Sequence, residues 1–274
     1  MSIKLICIDM DGTLLMDQQR ISEEDKSAIK EAVKKGAVVA ITTGRIYDCA
    51  RLYSNTIGLK TPIIASNGAY IGGENDEEIY NNPLKLSDLE DFNIITKKNN
   101  LFTYVTTNWG IVSTVELPEN HVYKVLNKNL PKEKQVRLEV VKDLGEAFTK
   151  YDGEILKGVC VEKEFKDKLK DAKEELILCT KDLEVVSSWD DNFEIMKRGS
   201  SKGEAVKKLA KYLGVSRDEV MCIGDSENDL SMITWAGVGV AMGNAIDKVK
   251  EVADYITSDN KHGGVSEAIK KFVL

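Results

Sequence analysis

The chain has 274 residues, 38 of them basic and 45 acidic, for a net charge of −7 and a pI near 5.2. Such a chain offers nothing to offset repulsion from nucleic acid or anionic lipid, and no apolar run approaches a membrane span, so polyanion binding and membrane insertion are excluded. Five scattered cysteines without a C-x-x-C pair indicate neither a disulfide framework nor a zinc site, and Asp9 and Asp11 arrive before a signal-peptide apolar region forms, so the expectation is a reduced, cytoplasmic protein. Ile3 to Ile8 is a strand-length apolar run that stops at Asp9. Ser22 with Asp25 three residues on is a capping-box signature, and Ile21 fits as a staple; a helix is predicted to about Lys35, stopped by Gly36. Ala37 to Ile41 is a second buried run, ending at Thr42-Thr43-Gly44, with a helix predicted over 46–53. Pro62 to Ala65 is a third, ending at Ser66-Asn67-Gly68. Strands that alternate with helices predict a parallel sheet, and Gly72-Gly73-Glu74-Asn75 between two short runs predicts a hairpin.

From about Pro83 to Trp189 the texture changes: Lys and Glu are frequent, and the patterns set no order of elements. After Asn192 the short-strand rhythm returns. Ser200 reads as the cap of a helix carrying Ala205, Leu209 and Leu213, stopped by Gly214. Val220 to Ile223 ends at Gly224-Asp225, and Val238 to Ala241 ends at Met242-Gly243-Asn244. A last helix carries Val265, Ala268, Ile269 and Phe272. The expected architecture is a doubly wound α/β core built from residues 1–82 and 190–274, with a second α/β domain inserted at 83–189.

Asp9, Thr43, Ser66-Asn67 and Asp225 each follow directly on an apolar run. In a parallel sheet those strand ends share one edge, where α/β proteins build their sites. Asp9-Met10-Asp11-Gly12-Thr13 puts two carboxylates in a tight turn. A capped turn is the bland reading. A calcium loop fails, because Gly12 stands fourth rather than sixth and Arg20 stands twelfth. The chemical reading is a carboxylate nucleophile, Asp9, with Asp11 as its acid/base neighbour. Asp225, in Gly224-Asp225-Ser226-Glu227-Asn228-Asp229, is either a helix N-cap or one more oxygen ligand for a hard cation such as Mg²⁺. Lys202 opens a helix, where its charge opposes the macrodipole unless an anion is near. It is a solvated surface lysine or half of a phosphate clamp. Thr43-Gly44-Arg45 adds a hydroxyl and close backbone N–H donors.

This set resembles the haloacid dehalogenase (HAD) superfamily of phosphatases. D-M-D-G-T-L is similar to its first motif, the threonine of T-T-G-R to its second, Lys202 to its third, and G-D-S-E-N-D to its fourth. A-S-N-G-A, K-G-E-A, A-M-G-N-A and G-V-S-E-A-I resemble the Cof-type subfamily, whose type IIB cap matches the insert in position and length. The resemblance implies a HAD core with an inserted α/β cap and Mg²⁺-dependent hydrolysis of small phosphorylated metabolites through an aspartyl-phosphate. It makes Asp9 the nucleophile and a metal ligand. Asp11 becomes the group that protonates the leaving group and then activates water, with its carbonyl on the metal, and Asp225 becomes the third protein ligand. Thr43, Gly44, Lys202, Asn228 and the Met10 backbone would hold phosphate, and Asp229 would stand behind them. A monomer or small homo-oligomer is expected.

Rival classes remain open at this level. A phosphomutase shares the whole site. Gly199-Ser200-Ser201-Lys202-Gly203 matches a serine-hydrolase elbow centred on Ser201, with Asp225 or Asp254 and His262 following in order, although Lys197-Arg198 separates it from its strand. A non-catalytic phosphoacceptor also uses clustered acids, Thr and Lys. His121 and His262 lack metal-ligand company, Trp109 and Trp189 read as packing residues before substrate contacts, and Cys7 and Cys222 read as buried inert thiols.

Overall fold

The computed structural model describes residues 2–17, 20–58, 60–187 and 190–274. Its first part runs β1 (Leu5–Asp9), α1 (Glu23–Lys34), β2 (Val38–Thr42), α2 (Tyr47–Ile57), β3 (Ile63–Ala65), β4 (Tyr70–Gly72) and β5 (Glu78–Asn81). The middle carries α3 (Leu86–Lys98), β6 (Phe102–Thr106), β7 (Gly110–Ser113), α4 (Val122–Lys128), β8 (Arg137–Val140), α5 (Leu144–Lys150), β9 (Lys157–Val161), α6 (Lys166–Cys179), β10 (Leu183–Val186) and β11 (Asn192–Lys197). The last part is α7 (Lys202–Leu213), β12 (Val220–Gly224), α8 (Leu230–Trp235), β13 (Val238–Ala241), α9 (Asp247–Val252), β14 (Tyr255–Ile256) and α10 (Gly264–Phe272).

Two compact units result, residues 1–81 with 201–274, and residues 82–200. The first holds an eight-stranded sheet in the order β14-β13-β12-β1-β2-β3-β4-β5. The six strands from β14 to β3 are parallel, and β4 and β5 close the edge as an antiparallel hairpin, as the glycine pair predicts. Every residue of β1 and β12 is buried, which is why both read as unbroken apolar runs. From β1 the chain moves outward to β2 and β3; β12 pairs with the other side of β1 and leads outward to β13 and β14. The strand order therefore reverses between β1 and β12, the place where open α/β sheets leave a crevice at their carboxyl ends. Ser22 caps α1 by accepting from Asp25 N. The buried Asp25 carboxylate also accepts from Ser266 N at 2.8 Å, so the first helix is tied to the last.

The second unit is a six-stranded sheet, β10-β11-β9-β6-β7-β8, antiparallel except for β7 with β8. Its core is Phe92 and Ile95 of α3, Phe148 of α5 and Leu176 of α6 against Val105, Phe193 and Ile195 of the sheet. The Phe92 and Phe193 rings meet edge to face at 6.3 Å. Gly158 of β9 makes room for Phe92 and Ile195, since a Cβ there would stand 2.8 Å from Ile195 and 3.0 Å from Phe92.

Three expectations need correction. The second boundary of the insert lies near 200, not 190: Asn192–Lys197 pairs with β9 and β10 and so belongs to the second sheet. It reads like a core strand because Phe193, Ile195 and Met196 are buried where it pairs between two strands of another sheet. The helix predicted to be capped by Ser200 is capped by Ser201, whose backbone is extended and whose side chain accepts from Glu204 N. Helix α2 also runs on to Ile57, where Gly58 turns left-handed.

Candidate active site

Asp9 is the last residue of β1 and is buried. Lys202, the first residue of α7, is 1% exposed. Its Nζ lies 2.6 Å from Asp9 Oδ1 and 2.6 Å from Asp229 Oδ1. The surface-lysine reading is therefore wrong; the ammonium is buried between two carboxylates. Asp229 is fully engaged, because its Oδ2 accepts from the backbone N–H groups of Asp225 and Ser226. Asp225 follows β12 and accepts from Thr13 Oγ1 at 2.9 Å and Ser226 Oγ at 3.0 Å. Gly12 admits it, since it adopts φ +84° and a Cβ there would lie 2.4 Å from Asp225 Oδ2. Carboxylate oxygens of Asp9, Asp225 and Asp229 lie within 4.8 Å of one another.

The electrostatics are those of a crowded acidic pocket. Burial pushes the Asp9 carboxyl well above its ordinary value, the Asp229 and Asp225 charges add to that, and Lys202 opposes it. Burial and Asp229 push Asp225 up to about 6. Burial works against the Lys202 ammonium, yet Asp229 and Asp9 hold it above the usual lysine range. Three carboxylates face one ammonium, and their oxygens are hard donors. A divalent cation fits that donor set, because it supplies the missing positive charge.

The other motif residues converge on the same edge. Thr43 is buried after β2, and its Oγ1 accepts from Arg45 N at 3.1 Å, which leaves its O–H to donate elsewhere. Gly44 lies against the Asn67 side chain; a Cβ there would stand 2.9 Å from Asn67 Oδ1. Asn228 Nδ2 donates to that same Oδ1 at 3.0 Å, and Asn228 Oδ1 is buried without a partner among the described residues. Met10 is buried in the turn and its carbonyl accepts from Leu15 N at 2.9 Å. Asp11 lies apart from the carboxylate cluster. Its two oxygens accept a fork from Arg45, Nε at 2.8 Å and Nη2 at 2.5 Å.

Two residues at the site had no role assigned from the sequence. Arg45 was visible only as the last letter of T-T-G-R, and its partner lies 34 residues upstream. Asn67 was visible as a polar strand end, but its part depends on backbone shape. Ser66 and Asn67 are both left-handed, at φ 48° and 53°, and two such residues in succession mark a strained turn. The bland readings hold elsewhere. Trp109 meets the Tyr151 ring edge to face at 5.2 Å, lies under Arg137 and donates to Glu154. His121 caps α4 by accepting from Tyr123 N, and His262 pairs with Asp259 on the surface. Cys7 and Cys222 are buried, and burial raises the Cys222 thiol. Trp189 lies outside the described residues. The Ser201 elbow does not form, since its hydroxyl caps α7 from an extended backbone at φ −123° rather than a strained turn.

The parallel sheet reversing between β1 and β12, with acids and a lysine at the reversal, is the arrangement of an α/β protein that builds its site at the carboxyl ends of its strands. A model of the haloacid dehalogenase-like hydrolase family matches residues 6–269, and the chain belongs to that family. It is 36% identical to the 5-amino-6-(5-phospho-D-ribitylamino)uracil phosphatase YcsE of Bacillus subtilis, over 99% of this chain and 96% of that protein. It is 35% identical to YwtE of the same organism, which carries the same activity in its name, over 99% and 98%. The structure of a haloacid dehalogenase-like hydrolase from B. subtilis superposes with a TM-score of 0.87 at 29% identity, covering 99% of this chain and all of that one. The protein is accordingly an enzyme, a phosphatase. Among the described residues, no helix is long and apolar enough to cross a membrane.

Proposed function

We propose that the protein hydrolyses phosphate monoesters of small metabolites, with Mg²⁺ and through an aspartyl-phosphate on Asp9. The observation that carries this reading is the buried Asp9 carboxylate at the sheet reversal, paired with Lys202 and crowded by Asp225 and Asp229. Asp9 would attack phosphorus with the oxygen that Lys202 does not hold. Lys202, Thr43, the Gly44 backbone, the Met10 backbone and Asn228 would bind the phosphoryl oxygens and stabilise their charge. Asp11 would give a proton to the departing alcohol and take one from the water that attacks the acyl phosphate. Asp229 would hold Lys202 and Asp225 in place. Asp9, the Asp11 carbonyl and Asp225 would hold Mg²⁺, which when bound would offset the charge of the phosphate dianion. The inserted unit would carry the choice of leaving group. A reduced, cytoplasmic setting is part of the reading, in keeping with five free cysteines.

The names of the relatives make 5-amino-6-(5-phospho-D-ribitylamino)uracil the first substrate to test. The test is phosphate release from that ester, hexose phosphates, nucleotides, flavin mononucleotide and pyridoxal phosphate, with Mg²⁺ and beside Asp9→Asn. Turnover of at least one ester is expected, lost in the variant and in EDTA, and restored by added Mg²⁺. Turnover that survives in Asp9→Asn would remove the nucleophile assignment. Isomerised phosphate ester without free phosphate would move the protein to the mutases.

A further inference from the structure

Arg45 follows the phosphate-side residues Thr43 and Gly44, but its side chain is committed elsewhere. It is 5% exposed. Nε and Nη2 reach the two oxygens of Asp11 in a fork. Nη1 donates to Tyr53 Oη at 2.9 Å, and the Tyr53 ring centroid lies 5.0 Å from the guanidinium carbon. Tyr53 and Cys49, also against Arg45, both stand on α2 and are buried. Helix α2 therefore holds the guanidinium from behind while its fork faces Asp11. Burial works against the charge of Arg45, and Asp11, with smaller help from Cys49 and Tyr53, more than offsets it.

Asp11 needs such support. It sits in a turn, its side chain is 34% exposed, and among the described residues no other group bonds its carboxylate. A fork fixes the plane of a carboxylate as well as its position, which a lysine cannot do. It occupies two of about four lone-pair sites and leaves the others for proton exchange.

We propose that Arg45 is a positioning residue that sets the Asp11 carboxyl group for proton transfer. The proposal rests on the reading of Asp11 as the acid/base group. In the first step the Asp9 oxygen bonds to phosphorus, the ester P–O bond breaks, and the Asp11 proton goes to the leaving oxygen. In the second, water bonds to phosphorus, the Asp9–phosphorus bond breaks, and a water proton returns to Asp11. Arg45 exchanges no proton in either step.

The test compares an alkyl phosphate with p-nitrophenyl phosphate, using full-length protein with Mg²⁺. The quantity is kcat/KM, which reports the steps through departure of the alcohol. Nitrophenolate leaves without a proton, so only the alkyl ester needs Asp11 in that step. Arg45→Met is expected to lower kcat/KM on the alkyl ester by about 10- to 100-fold and on the nitrophenyl ester by less than about threefold. Arg45→Lys should recover only part of the loss. In an Asp11→Asn background Arg45→Met should cost nothing further. Tyr53→Phe removes only the hydroxyl behind Nη1, and should give a smaller loss with the same preference for the alkyl ester even if Arg45→Met folds poorly. Equal losses on both esters would mean that Arg45 binds phosphate or merely supports the fold, and would overturn the proposal. So would a loss that persists undiminished beside Asp11→Asn. Full activity of Asp11→Asn on the alkyl ester would instead sink the reading of Asp11 itself.

Discussion

At the scale of single residues, Lys202 shows how strongly this site depends on charge balance. A buried ammonium between Asp9 and Asp229 is tolerable only because each charge has a partner. Lys202→Met leaves two carboxylates uncompensated and should cost about 3–5 kcal/mol of stability, along with activity. Asp229→Asn in that background should return part of the stability and none of the activity, as urea unfolding and phosphate release would show. No recovery in the double variant would mean that packing, not charge, sets the cost. Gly12 makes the complementary point. An alanine there meets Asp225 Oδ2 at 2.4 Å in a left-handed backbone, so Gly12→Ala should raise the Mg²⁺ concentration for half-activity. An unchanged Mg²⁺ requirement would separate Asp225 from the metal. Asp9, Asp225 and Lys202 were legible in the sequence because each follows an apolar run or opens a helix, and Asp11 and Asp229 because they complete D-M-D-G-T and G-D-S-E-N-D. Arg45 and Asn67 acquired no role there. One acts on a carboxylate 34 residues away, and the other through a left-handed turn that no residue pattern announces.

At the scale of elements, two helix starts test how far capping reaches into function. Ser201 caps α7, the helix that presents Lys202. Ser201→Ala should cost about 1 kcal/mol of stability and keep most of the phosphatase activity. Loss of all turnover with stability intact would revive the serine nucleophile. The sequence placed this cap one residue early, because Ser200 and Ser201 are adjacent and only the backbone distinguishes them. His121 caps α4 with a ring nitrogen that must be unprotonated. Burial, with Lys124 and Lys163 nearby, lowers its value from 6.5 to about 4. The neutral form is the one that folds. Its stabilisation is complete above pH about 6.5 and fades as the pH falls towards about 4. His121→Asn keeps a capping acceptor and has no such proton to gain. The wild type should therefore lose unfolding free energy relative to the variant between those pH values. Parallel pH curves for the two proteins would rule this out.

At the scale of the whole chain, the insert is the part the sequence read least well. Helices and strands alternate along it, but its sheet is mostly antiparallel and out of chain order, so the alternation does not set which strands pair. Its last strand, β11, is buried along most of its length and resembles a strand of the other sheet. Contact decides what pattern could not: β11 lies between β10 and β9, and Asn82 Nδ2 donates to Ser200 Oγ at 2.8 Å, so the ends of the segment meet. A segment of about 120 residues with its own sheet and its own aromatic core meets the requirements for folding alone. Residues 82–200 expressed alone should melt in one cooperative transition and release no phosphate, since every assigned site residue lies outside them. Residues 83–189 should not melt cooperatively, because losing β11 leaves β10 with no partner strand and removes Phe193 and Ile195 from the core. Calorimetry on the two segments decides the boundary. Equal cooperative melts would put β11 outside the folding unit and restore the boundary at 190, whereas failure of 82–200 alone would mean that the insert needs the rest of the chain to fold.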